Sequence, residues 1–395
     1  MSHYDDARRV IPHGSLTRSK APGRFYPIGT GPHYVARGGS GAHLYTDTGD
    51  TLIDMLCALG AISLGYGRTP HGARRAVDDG GVYSLPSVLE ASAAEAMLRH
   101  VAPWADRVKF TKTGSEATHA AYRIAKRATG RPLVIVFEGS YHGWHEWSWR
   151  GPDGVPESPF TILAPYGCDL ADWLEAQRIE ASEIAAVFVE PHRWQPTPAG
   201  WLEAVRTFCR AQGAVFVIDE MIYGGRWALG GASAFFGVPP DLACYGKALG
   251  NGAAIAAVVG PASLLEAHGE MVSGTYSGDT VGLAALLDTL KVYTTRDVVD
   301  TLWARGSQLA LGLAEAASRH PSLGAEVHGA ATVHLRLAFT DPAMGQRFSQ
   351  AMVARDILWH PDCVNVSYAH TEAIIGQVIQ AADDAMAALE QEAQR

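Results

Sequence analysis

Four short runs rich in β-branched and apolar residues punctuate the middle of the chain: "RVKFT" from Arg107, "LVIVF" from Leu133, "AAVFVEP" from Ala185 and "AVFVIDE" from Ala214. A strand that is apolar at nearly every position has both faces covered, and strands separated by helical stretches join through crossovers rather than hairpins. The pattern predicts an α/β fold with a mainly parallel central sheet. Between the first two runs, "SEATHAAYRIAKRATGR" puts Ala117, Ala120, Ala121, Ile124, Ala125 and Ala128 on one helical stripe, with Ser115 placed to cap the start and Gly130 to stop the end.

At 395 residues the chain is longer than one core usually organises, which favours a large and a smaller lobe. Residues 1–50 are rich in Gly and Pro and are expected to pack with the small domain; 51–285 would form the large domain and 286–395 the small one. "HLYTDTGDTLIDM" reads as a hairpin turning at Thr48-Gly49. Long helices are expected from about Gly278, then a strand in "TVHLRLAFT" and a final helix from about Thr371. A net charge of -9 argues against nucleic acid or an anionic membrane as partner. Cys57, Cys168, Cys209, Cys244 and Cys363 stand singly, without the spacing of a zinc site or disulfide framework, so no metal is expected. With no apolar leader and no run of about eighteen apolar residues, a cytoplasmic protein is the expectation.

The chemistry starts at two residues. "FVIDEMIYGGR" delivers Asp219 and Glu220 to the carboxyl end of a strand, where open α/β sheets bind ligands. Twenty-eight residues later, Lys247 lies in "DLACYGKALGNG", between an apolar run and glycines. Each has an ordinary reading, an acidic strand end or a surface turn lysine. Together they are the pair a pyridoxal 5'-phosphate enzyme needs: a lysine that holds the cofactor as a Schiff base and later acts as base, and an aspartate that keeps the pyridine nitrogen protonated. "KFTKTGSEAT" adds a strand, a Gly114-Ser115 turn and a helix N-terminus suited to a phosphate, although an ordinary capped helix has the same look. In "FEGSYHGWHEW", Tyr141 and His142 sit on a loop beside Gly139 and Gly143, where they could stack on the pyridine face. Trp144, Trp147 and Trp149 either line a substrate pocket or simply pack.

These motifs, with "VEPHRWQPTPAGWLEAVR", "GVPPDLACYGKALGNG", "SGTYSGDTVGLAAL" and "YAHTEAII", resemble the class III pyridoxal phosphate aminotransferase family from about Ser15 to the end; the nearest branch is similar to glutamate-1-semialdehyde 2,1-aminomutase. The resemblance implies a fold type I homodimer with shared active sites, acting on a small-molecule amino donor and a carbonyl acceptor. It implies Lys247 as the Schiff-base lysine, Asp219 as partner of the ring nitrogen, Gly114 and Ser115 as phosphate binders, Tyr141 and Met221 on the two ring faces, and Glu190 near the cofactor. Thr275 would reach the phosphate of the partner subunit. "HGSLTR" is similar to the segment whose arginine receives the substrate carboxylate, which points to Arg18, a task for which a planar guanidinium is suited.

Departures from the aminomutase pattern favour transamination. Leu59 stands where that branch has tryptophan, Asp279-Thr280 where it has Asn-Pro, and "SWRGPDGVPESPFTIL" leaves little room for the gating loop that retains the intermediate. His192, Arg193 and Trp194 replace the usual small residues after Glu-Pro, and either reshape the substrate side or form a surface turn. The expected activity is therefore aminotransfer. An aminomutase is the alternative, followed by a racemase or decarboxylase and by a non-catalytic cofactor-binding relative.

Overall fold

In the computed structural model, which describes residues 3–67, 71–150, 154, 156–191, 196–330 and 333–393, all four apolar runs are strands of one seven-stranded sheet. Its order is Arg107–Thr111, Ala256–Gly260, Leu242–Tyr245, Val215–Asp219, Ile184–Val189, Leu133–Phe137, Thr161–Ala164. Neighbours pair in parallel except Ala256–Gly260, which runs against both strands beside it. The reason for the continuous apolar runs is visible in the packing, since alternate residues serve opposite faces. Ala186, Phe188, Val215 and Val217 pack with Ala117, Ala121 and Ile124 of the helix Gly114–Thr129. Val187, Val189, Phe216 and Ile218 pack with Trp201, Leu202 and Val205 of the helix Trp201–Gln212.

This sheet belongs to a compact unit, Thr69–Val299; Met1–Arg68 and Asp300–Arg395 together form a second. The divisions fall at 68 and 299, where limits at 50 and 285 were expected. In the second unit the expected hairpin forms from His43–Thr46 and Thr51–Asp54, with Gly49 at φ +92° in its turn. Ile357–Leu358 adds to it in parallel, Ile357 opposite Ile53. The expected strand forms as Val333–Phe339 and the expected last helix as Glu372–Ala393, while Ala325–Ala330, which pairs with the former, was not expected.

One expectation is corrected. The helix Gly114–Thr129 is capped by Thr113 rather than Ser115: Thr113 Oγ1 accepts the Glu116 amide, and the Glu116 carboxylate accepts the amide of Thr113 at 2.8 Å. Thr113 wins because its side chain stands three residues before a glutamate that can return the bond. Gly130, at φ +69°, ends the helix as expected.

Asp279 has two tasks. It caps the helix Thr280–Thr295 through the amides of Val281 (3.3 Å) and Gly282 (3.0 Å), and it meets Lys112 Nζ at 2.5 Å with both side chains largely covered. Burial disfavours its charge, but the bonds from Lys112 and Gly282 outweigh that and lower its pKa. Asp279→Ala should destabilise the protein by about 1–3 kcal/mol near neutral pH through loss of cap and ion pair. A carboxyl whose pKa is lower in the folded state contributes stability above its unfolded pKa and loses it as pH falls through the folded value. Urea unfolding at about pH 7 and about pH 3 should therefore show the gap between wild type and variant narrowing in acid; a gap independent of pH would contradict the assignment.

Candidate active site at the carboxyl edge of the sheet

Asp219 is the last residue of its strand and is opposite Cys244 in the neighbouring strand, whose chain reaches Lys247 two residues beyond its end. Parallel pairing thus brings both to one sheet edge. Because Ala256–Gly260 runs backwards between them, the strand Arg107–Thr111 also points that way and delivers the Gly114 helix start to the same edge.

The Asp219 side chain is buried and held at both oxygens: Oδ2 lies 2.8 Å from His142 Nδ1, and Oδ1 accepts the Met221 amide at 3.0 Å. The His142 carbonyl accepts the Thr118 hydroxyl at 2.6 Å, and its ring is parallel to that of Trp147 with centroids 6.2 Å apart. His142 is only 2% exposed, so the expectation that it stacks on a ring face is corrected. It sits against the carboxylate, inside the protein. Tyr141 keeps an exposed ring at this edge, while its amide donates to the buried Glu190 carboxylate at 2.7 Å.

Close approaches knit these pieces together. Gly143 has φ +107°, and a Cβ there would fall 2.6 Å from Ser115 Oγ. A Cβ on Gly114 or on Gly246 would fall 2.8 Å from Met221 Sδ, so the thioether lies against both the start of the phosphate-type helix and the residue before Lys247. Lys247 itself is half-buried and adopts φ +46°, a left-handed conformation that costs a non-glycine residue energy and is concentrated at functional positions.

Other predicted residues are placed elsewhere. Thr275 is exposed in a turn beside the exposed Tyr276. The Trp144 ring is exposed and stacks on His145 with centroids 5.1 Å apart. Trp147 is core, stacked on Tyr122 at 4.8 Å, which is the packing alternative of its two readings. Arg18 is exposed on the short turn Arg18–Lys20 of the other unit. His192, Arg193 and Trp194 lie outside the described residues.

Sequence reasoning missed Thr118 and Gly246, whose contacts come from distant parts of the chain. It also missed the task of Glu220, which is fully buried and accepts the amides of Ala232 (2.8 Å) and Ser233 (2.7 Å).

The aminotransferase class-III family model matches residues 26–148 and 168–343. The chain belongs to the class-III aminotransferase family. The glutamate-1-semialdehyde 2,1-aminomutase of Desulforamulus reducens is 31% identical, over 98% of each chain. Among solved structures, the FumI protein of Sphingopyxis sp. MTA144 in its PLP internal aldimine form is 28% identical with a TM-score of 0.89, covering 99% of this chain and 96% of that one. An omega-transaminase from Sphaerobacter thermophilus is 25% identical with a TM-score of 0.84, covering 98% and 96%.

The cofactor of this class-III aminotransferase is pyridoxal phosphate, and the geometry fits it. The first two amides of the Gly114–Thr129 helix have no intrahelical acceptor, as an anion site would require. Asp219 is a buried carboxylate held by His142 and the Met221 amide, suited to a protonated ring nitrogen.

Burial pushes the neighbouring Glu220 carboxyl up to about 7 from an ordinary 4.5, against the pull of its hydrogen bonds from Ser233 and Ala232. A carboxyl whose pKa is raised by folding holds its proton in the folded state while the unfolded chain has lost it. Stability from this group therefore falls as pH rises from about 4.5 to about 7 and is level above. Glu220→Gln should flatten that part of the stability profile in chemical denaturation; an unchanged slope would show that Glu220 does not titrate there.

Proposed function

We propose that this enzyme transfers an amino group between an amino acid and a separate carbonyl acceptor in two half-reactions, rather than within one substrate. The observation that carries this reading is the short connection after Trp149. The Trp149 carbonyl accepts the Glu157 amide at 3.1 Å and Arg150 pairs with Pro156, just before the strand Thr161–Ala164 begins. A mutase must retain its half-converted substrate, whereas a transaminase must release it; a link pinned at both ends supplies little chain to cover a site. The aminomutase reading keeps support from the full-length relative at 31% identity.

Bound pyridoxal phosphate supplies an electron-poor ring that draws electron density from the substrate Cα. The protein supplies the rest. Lys247 Nζ would hold the cofactor and, with its amine free, would take and return the proton of the substrate Cα. Asp219 keeps a proton on the ring nitrogen, with its two oxygens fixed by His142 and the Met221 amide. The amides of Gly114 and Ser115 bind the phosphate, and Tyr141 and Met221 cover the ring faces. Glu190 fixes the Tyr141 backbone. Arg18 receives the substrate carboxylate as a bidentate pair, and Trp144 borders the substrate side.

The active form is a homodimer in which Thr275 completes the phosphate site of the second subunit; its exposure beside Tyr276, 62% exposed, suits contact with another copy. Five free cysteines suit a reducing, cytoplasmic setting.

Lys247→Ala should lose both turnover and the visible absorbance of the covalently held cofactor. Mixing wild-type enzyme with a single amino donor should then release a ketoacid in amounts stoichiometric with enzyme, leaving the cofactor as pyridoxamine. A product isomeric with the donor would overturn transamination, and a Lys247→Ala enzyme that kept absorbance and turnover would overturn the site. Arg18→Ala should raise KM for an amino-acid donor by roughly ten- to a hundredfold while sparing a donor that lacks the carboxylate. Equal effects on both donors in steady-state kinetics would remove Arg18 from the substrate site.

A further inference from the structure

The unit that contains both chain ends encloses a cavity of about 400 Å³, whose lining includes none of the residues gathered at the Lys247 sheet edge. Its walls are largely apolar, with Phe25, Leu44, Leu52 and Leu56 among them, and three phenol rings, Tyr26, Tyr34 and Tyr66, also face it. Set into this lining is Asp54, 2% exposed. One carboxylate oxygen accepts the amides of Leu56 (2.9 Å) and Cys57 (3.1 Å), and the other accepts the Tyr66 hydroxyl at 2.6 Å. These are neutral donors. Lys20, the one lysine or arginine in the lining, has an exposed side chain, and its charge favours the ionised Asp54 without overcoming the cost of burial.

Apart from Lys20, the charges that act on this lining are negative. Burial pushes the Tyr26 hydroxyl up, and the charges of Asp47 and Asp50 push it further. His33, another lining residue, is held below its ordinary pKa by burial against the opposing pull of Asp47, and its Nε2 is buried without a hydrogen-bond partner. Burial also raises the Asp54 carboxyl, a cost that a bound cation would offset. Aromatic faces around a buried carboxylate attract organic cations, through ring quadrupole and charge together.

We propose that this cavity binds an organic ammonium ion with an apolar body, its charged nitrogen on Asp54 among the rings of Tyr26, Tyr34 and Tyr66. The carboxylate supplies the charge, the rings the cation–π surface and the aliphatic walls the fit for the body. The proposal is independent of the aminotransfer reading, since it uses none of the residues of that site.

The test is isothermal titration calorimetry of the holoenzyme with N,N-dimethyl-2-phenylethylamine, a tertiary amine that cannot form an imine with the cofactor. It should bind at least tenfold more tightly than 3-phenylpropanoate, which has a similar body and the opposite charge. Asp54→Asn should weaken it at least tenfold, because Asn preserves an acceptor for the two amides but not the charge. Val35→Trp, at a half-exposed lining position, should weaken it as well by filling the space with the Asp54 bonds intact. No binding, equal affinity for amine and carboxylate, or an affinity unchanged in Val35→Trp would each overturn the proposal. If Asp54→Asn fails to fold, the probe pair and Val35→Trp decide it.

Discussion

A carboxylate carried to the end of an apolar strand has to be compensated inside the protein, and the way Asp219 is compensated sets the arrangement around it. One oxygen meets His142 and the other the Met221 amide. For His142 to reach it, the loop after Leu133–Phe137 must fold inward, which the Thr118 hydroxyl secures by bonding the His142 carbonyl. That inward fold brings Gly143 against Ser115, where only a glycine fits. Met221, fixed through its own amide, then lies against Gly114 and Gly246. A single buried charge thus links the Gly114 helix start, the aromatic loop and the lysine turn.

Much of this was legible in the sequence because it depended on local pattern. Continuous apolar runs marked four of the central strands, Gly130 marked a helix end, and Thr48-Gly49 marked a hairpin turn. Asp219 and Lys247 were readable as a pair because one ends a strand and the other lies just past the end of one, and strand ends converge when strands run parallel. The errors involved partners distant in sequence. His142 was read as exposed since its loop is rich in glycine, yet its partner lies seventy-seven residues away. Trp147 had a pocket reading beside its packing one, and stacking on Tyr122 draws it into the core. Thr113 displaced Ser115 as the cap through a reciprocal bond with Glu116 that the spacing does encode, and that signal was available.

The unit formed by the two chain ends was the least legible part. Its key group, Asp54, looks in sequence like the polar end of a hairpin strand. The structure uses it to hold an unusual turn: Cys57, Ala58 and Leu59 all have positive φ, between 51° and 61°, followed by Gly60 at 85°. Consecutive left-handed residues without glycine are costly, and the Asp54 carboxylate offsets part of that cost by accepting the amides of Leu56 and Cys57. Leu59, noted as a departure from the aminomutase pattern, sits at the tip of this turn. No periodicity or composition signal reports such a conformation.

The backward course of Ala256–Gly260 has a mechanical meaning for Lys247. The chain leaves one strand at Tyr245 and is woven into its immediate neighbour by Ala256, so the lysine rides on a short span moored at each end to the same rigid slab. Its main chain has little slack. Whatever travel the amine undergoes must come from the swing of four methylenes, with the peptide bonds acting as a fixed pivot.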